Sequence, residues 1–198
     1  MHTRALAFAA VLATSPAVLA TIPAGAQPVT DFSFRGAAHI GSGAREVGIR
    51  LVCALKSRRV DNLSFEMDLP DAEALQPGFD VSPFEGPDGI GARSRVAAEG
   101  AGRRAEAAFS AAGWFGNGGG PASTFTFGKA FEPGDRALAQ AQAVGSLLTR
   151  GTARLRWTVQ NAQRGKPDLT ASADLTAADA AKAAAPIGPC LPRSAPRR

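Results

Sequence analysis

The chain has 198 residues, with 22 Lys and Arg against 17 Asp and Glu and a formal net charge of +5. Beyond its N-terminus no apolar run approaches the roughly 20 residues a membrane-spanning helix needs, which excludes a helical anchor in the body of the chain. That length suits one domain with a core of its own.

The first predicted element is an export signal. His2 and Arg4 open it, Ala5 to Ala13 form an uncharged apolar stretch, and Thr14-Ser15-Pro16 breaks it. Ala24-Gly25-Ala26 then supplies an A-x-A cleavage site, so residues 1–26 read as a signal peptide and Gln27 as the first mature residue. No cysteine follows that site, which rules out lipid attachment there. The mature chain of 172 residues carries 21 Lys and Arg against 17 Asp and Glu. Abundant Arg and Ala point to a bacterium, and the expected location is the periplasm or the medium.

Strands follow, recognised by period-two alternation. Phe32 and Phe34 open a first strand running toward Ile40. Val47, Ile49, Leu51, Cys53 and Leu55 share one face of the next, and Leu63, Phe65, Met67 and Leu69 one face of a third. A short charged linker, Lys56 to Asp61, predicts that these two pair as an antiparallel hairpin. Residues 93–99, 104–115 and 122–131 read as further strands, with Gly116 to Pro121 as the turn between the last two. Asp135 caps a helix with the apolar stripe Leu138, Ala141, Val144, Leu147 and Leu148. Leu155, Trp157 and Val159, then Leu169, Ala171, Ala173 and Leu175, mark two more strands. Thr176 and Asp179 form a capping box for a short Ala-rich helix. The prediction is a mainly β protein: an antiparallel β-sandwich or curled sheet of about eight strands, one α-helix and a short C-terminal helix. A single domain spans 27–191, and the basic tail 192–198 is expected to be disordered.

Cys53 and Cys190 are the only cysteines. In an oxidising compartment they are expected to pair, closing a loop of 137 residues. The chain-entropy model assigns such a bridge roughly 4–5 kcal/mol. Without C-x-x-C, a redox-active dithiol is not expected.

Charge is uneven along the chain. Residues 61–100 hold nine acidic and two basic side chains, whereas 101–166 hold nine basic and three acidic ones. The segment from Pro70 to Gly91 is the one long loop, and loops of that length are often functional or mobile.

Residues with chemical potential are few. His39 is the only histidine after the signal, Ser42 lies near it, and no G-x-S-x-G elbow exists to make a nucleophile of any serine. One histidine and two bridged cysteines cannot build a zinc site of the usual kind. The glycine run at 116–120 lacks the Lys-Ser/Thr of a phosphate loop. Glu66, Asp68, Asp71, Glu73, Asp80, Glu85 and Asp88 read as solvated surface, with calcium binding or a hydrolytic carboxylate pair as alternatives. No catalytic, cofactor or metal residue is therefore assigned.

Arg154 and Arg156 point away from the Leu155/Trp157 face, and Arg50, Arg58 and Arg59 lie on or beside another strand. Such arginines suit an anionic polymer or lipid surface. Export, and the lack of aromatics interleaved with them, argues against nucleic acid. Trp114 and Phe115 are adjacent, so in a strand one of them faces outward. Arg154, Arg156, Trp114 and Phe84 are the candidate partner-binding residues.

The last third, helix 136–149 with strands 152–159 and 168–175 and helix 177–184, resembles the ending of exported β-rich bacterial proteins of the invasion-associated locus B type. The likeness rests on the order of elements and a few apolar positions and carries no functional residue. The expected function is a non-enzymatic binding protein of the cell envelope, whose partner is another envelope protein or an anionic polymer. The alternatives are a carboxylate hydrolase and a carrier of a small ligand or lipid in an interior cavity.

Overall fold

The computed structural model describes residues 29–192 apart from Ser42, Arg58, Pro77 and 117–122. The signal peptide and its cleavage site, the glycine turn at 117–121 and the tail from 193 lie outside the described residues.

Eight antiparallel strands close into a barrel. They are β1 (Val29–Ile40), β2 (Gly43–Lys56), β3 (Arg59–Leu69), β4 (Ala92–Gly100), β5 (Arg103–Phe115), β6 (Phe125–Phe131), β7 (Ala153–Val159) and β8 (Leu169–Leu175). Helix α1 (Leu138–Leu148) lies between β6 and β7, and α2 (Ala177–Ile187) follows β8. Around the barrel the order is β1-β2-β3-β6-β5-β4-β7-β8. Two meanders, β1 to β3 and β4 to β6, therefore run in opposite senses, and the β7–β8 hairpin fills the remaining gap.

The expected open sandwich or curled sheet is corrected to this closed barrel. Two short seams make the difference. Strand β5 meets β6 only over Ala112–Phe115, and β8 meets β1 only at Ala37–His39. Among the described residues, the β1-β2-β3-β6 and β5-β4-β7-β8 halves pair only over these two short registers. Helix α1 packs along β5 and β4, and α2 along β1 and β2. Closure at the seams satisfies edges that an open sheet would leave unpaired.

Alternation decides what enters the core. Val47, Ile49, Leu51 and Cys53 of β2, Leu63, Phe65, Met67 and Leu69 of β3, and Leu155, Trp157 and Val159 of β7 are all buried. The strands on either side of β7, and β5 beyond β4, contribute smaller inward residues: Ala92, Val96 and Ala98 on β4, Ala107 and Ala111 on β5, Ala171 and Ala173 on β8. Mixing large and small inward residues suits the packing of a small barrel. The β2–β3 turn is tighter than the predicted linker, since pairing runs to Lys56 and Arg59, with a bulge at Ala54/Leu55.

Each end of the barrel is stopped. At one end η1 (Ala72–Leu75) and η2 (Ser82–Phe84), both within the long loop, deliver Ala72, Phe79, Val81 and Phe84 to the core. The Phe84 ring lies 5.4 Å from that of Phe127 and 5.9 Å from that of Phe79. At the other end the Cys53–Cys190 disulfide ties η3 (Gly188–Cys190) to β2. Gln142 Nε2 of α1 donates to the Cys190 carbonyl at 2.8 Å, joining both helices to this stopper. The capping box of α2 is complete, with Asp179 N–H donating to Thr176 Oγ1 and Thr176 N–H to Asp179 Oδ2. Among the described residues no helix is long and apolar enough to cross a membrane.

Candidate anion-binding groove

The outer face of β5-β4-β7-β8 carries a cluster of arginines, because alternation that sends Leu155 and Trp157 inward sends Arg154 and Arg156 outward. Register decides which of them find acids. Arg154 lies opposite Asp174 and holds it through Nε at 2.7 Å and Nη2 at 3.3 Å. This bond raises the Arg154 pKa and lowers that of Asp174. Arg104 reaches Glu99 and Glu106, both at 3.1 Å, and Arg95 reaches Glu106 at 3.2 Å. Those pairs use Glu99, Glu106 and Asp174. Arg156 lies opposite Ala97 and Ser172, and Arg93 opposite Ser110, with no carboxylate in either cross-strand position. Arg93, Arg156 and Arg164 form no ion pair with any described residue.

A groove runs across the β4/β7 part of this face. Its wider section, about 700 Å³, is bordered by Arg93, Arg95, Thr158, Gln160 and Asp168. Its narrow end, about 270 Å³, shares Arg93 and Gln160 and adds Ile90, Gly91, Asn161, Arg164 and the Phe84 of the stopper loop. The backbone there is pinned. Gln160 N–H donates to the Arg93 carbonyl at 2.8 Å. Asn161 is buried, and its Nδ2 donates to the carbonyls of Gly78 and Pro167, both at 3.0 Å, while its Oδ1 accepts from Gln163 N–H. One amide thus fastens the β7–β8 turn, which bears Arg164, to the stopper loop. At Gly91 a side chain is impossible without rearrangement, since a Cβ would lie 2.0 Å from Ser110 Oγ.

The four predicted partner-binding residues fall in different places. Arg156 is exposed on the basic face, and Arg154 stands beside it in its ion pair. Phe84 is buried and borders the narrow end of the groove. Trp114 lies on the outer wall of β5, half-buried, flat over Gly128 of β6, where a Cβ would come 2.5 Å from its Cη2. Phe115, the neighbour, packs inward against Phe125 at 4.9 Å. The structure does not bring these four together. Sequence reasoning missed Arg93, Arg164, Gln160 and Ile90 as one cluster, because they come from the end of the loop, the start of β4 and the β7–β8 turn.

The carboxylates of 66–88 are spread over the outer wall of β3 and the stopper loop. Glu66 is paired with Arg50, Asp68 accepts from Thr126 at 2.7 Å, and Asp71 accepts from Ser123 at 3.1 Å. Asp80 accepts from Ser82 N–H at 3.0 Å. These bonds hold loop and strand in place. His39 is exposed on β1 opposite Ala44 and Thr170; Ser42 lies outside the described residues. Among the described residues no three metal-ligating side chains converge. The barrel interior is occupied by Trp157, Phe65, Phe125, Phe127 and Phe131, all fully buried. β3 and β7 are diametrically opposed in the barrel order, so the acidic wall of β3 and the arginines of β7 present opposite patches.

Compared with known proteins, the chain matches no family model, no curated protein and no solved structure.

Proposed function

We propose that this chain is an exported, non-enzymatic binding protein of the cell envelope that receives an anionic partner on the outer face of β4 and β7. One observation carries the reading: Arg93, Arg156 and Arg164 stand exposed without acidic partners, on a face where Glu99, Glu106 and Asp174 are already paired. Uncompensated guanidinium groups beside a groove favour a negatively charged occupant. The disulfide fits an oxidising compartment, and the N-terminal signal pattern fits export. A carrier role would need interior space, which bulky side chains fill. Glu66, Asp68, Asp71 and Asp80 of the acidic set serve structural bonds, which favours a binding role over a carboxylate hydrolase.

The test is retention on an immobilised polyanion, with long-chain polyphosphate as the probe. R93A and R156A are expected to elute at clearly lower salt than the parent. R136A, which removes an exposed arginine away from the groove, serves as the control. Equal elution of all three variants would reduce the binding to general basicity and overturn the reading.

A further inference from the structure

We infer that the narrow end of the groove is a subsite for a phosphate monoester borne on an apolar body. This deepens the anionic-partner reading and rests on it. Two guanidinium groups border the subsite, Arg93 from the second residue of β4 and Arg164 from the β7–β8 turn, and neither is paired with a carboxylate. Two guanidinium groups without ion pairs favour a dianion, and Asp168, the carboxylate that borders the wider section, accepts from the Asn161 N–H. A phosphate monoester carries about −1.5 to −2 near neutral pH, whereas a carboxylate carries only one charge. The planar forks of arginine match tetrahedral phosphate oxygens, and the exposed Gln160 amide adds a neutral donor at the same wall.

The apolar requirement comes from Ile90. It is 54% exposed, and among the described residues the only other exposed large hydrophobic residue is Val29. Val29 belongs to the opposite end of the barrel, where β1 begins beside α2. Ile90 instead borders the subsite with Arg93 and Arg164. An alkyl or acyl chain leaving the phosphate along Ile90 removes that side chain from water. With about 270 Å³ of space open to solvent, the subsite admits a head group and the start of a chain. The frame is fixed in advance by the Asn161 bonds to Gly78 and Pro167 and by the Gln160–Arg93 backbone bond. Ligand binding therefore orders few groups beyond the two arginine side chains.

The experiment is calorimetric titration of the disulfide-bonded protein with monomeric octyl phosphate, octanoate and inorganic phosphate. Octyl phosphate is expected to bind about tenfold or more tightly than either of the others, because only it satisfies both charges and the apolar edge. R93A and R164Q should each weaken it by a similar factor of about ten. I90N should bring it down toward inorganic phosphate. Affinity should also fall as the ester dianion takes up a proton near pH 6 and becomes a monoanion. Vesicles containing phosphatidic acid, against phosphatidylcholine alone, distinguish a membrane source from a free monomer: capture by the former assigns the head group to lipid. Octyl phosphate binding that matches octanoate, or that survives both arginine changes with circular dichroism unaltered, overturns the subsite. If polyphosphate retention still depends on Arg156 in that case, the basic-face reading stands without the subsite; if it does not, both fall.

Discussion

Cys190 is bonded to Cys53, their Cα atoms 5.7 Å apart, and this bond fastens the last turn of the described chain to the interior wall of β2. Both residues are fully buried. The bridge holds η3, which follows α2, against β2 and β3 at this end of the barrel. Around it Gln142 donates to the Cys190 carbonyl and Thr30 Oγ1 to that of Pro186, at 2.8 and 2.6 Å.

Removing this bridge is expected to lower stability substantially. The bond closes 137 residues of chain, and native disulfides of small exported domains commonly contribute about 2–5 kcal/mol. A C53A/C190A variant should melt well below the parent and unfold at lower urea concentration. Equal urea midpoints for the two proteins would show that packing alone holds η3.

Trp114 requires glycine at position 128. A Cβ there would lie 2.5 Å from Trp114 Cη2, far inside van der Waals contact. G128A should lift the indole off the outer wall and cost about 1–3 kcal/mol, the usual range for overpacking. Tryptophan emission should shift to longer wavelength, with Trp157 remaining in the core as the blue component. An unchanged spectrum and midpoint would mean that the ring slides aside freely.

Acid should remove one identifiable contribution before α1. The Asp135 carboxyl is held below its ordinary value of 3.8, first by the Ala137 N–H that donates to it and then by Lys129. A folded-state pKa below the unfolded one gives stability that is present above about 4 and is lost as pH falls through the lower folded value. D135N should therefore be less stable than the parent at pH 7, and the gap should close as pH drops below about 4. Urea midpoints of both proteins from pH 7 to pH 3 check this. A gap constant over that range would mean the carboxyl is not depressed.

Much of the local structure was legible before any tertiary contact. Alternation at Leu63, Phe65, Met67 and Leu69, or at Leu155, Trp157 and Val159, marks a strand with one buried face whatever its neighbours are. The Thr176–Asp179 box and the stripe of α1 are likewise local, since their partners lie within a turn or two. The long loop was harder. Phe79, Val81 and Phe84 follow no helical or strand period, so the sequence shows a Pro- and Gly-rich loop, and only their burial against Phe127 reveals a stopper.

What the sequence determined by itself was the order of strands and helices, the inward faces of β2, β3, β7 and β8 and the identity of the two cysteines. Those follow from interactions that are short along the chain or from there being only one possible pair. Closure into a barrel, the neighbours β3–β6 and β4–β7, and the division of arginines into paired and unpaired were decided by tertiary structure alone. Period-two patterning says which face is buried but not which strand lies alongside. Arg154 meets Asp174 while Arg156 meets Ser172 because of the β7–β8 register, and Arg93 and Arg164 share a groove because β4 and β7 lie side by side.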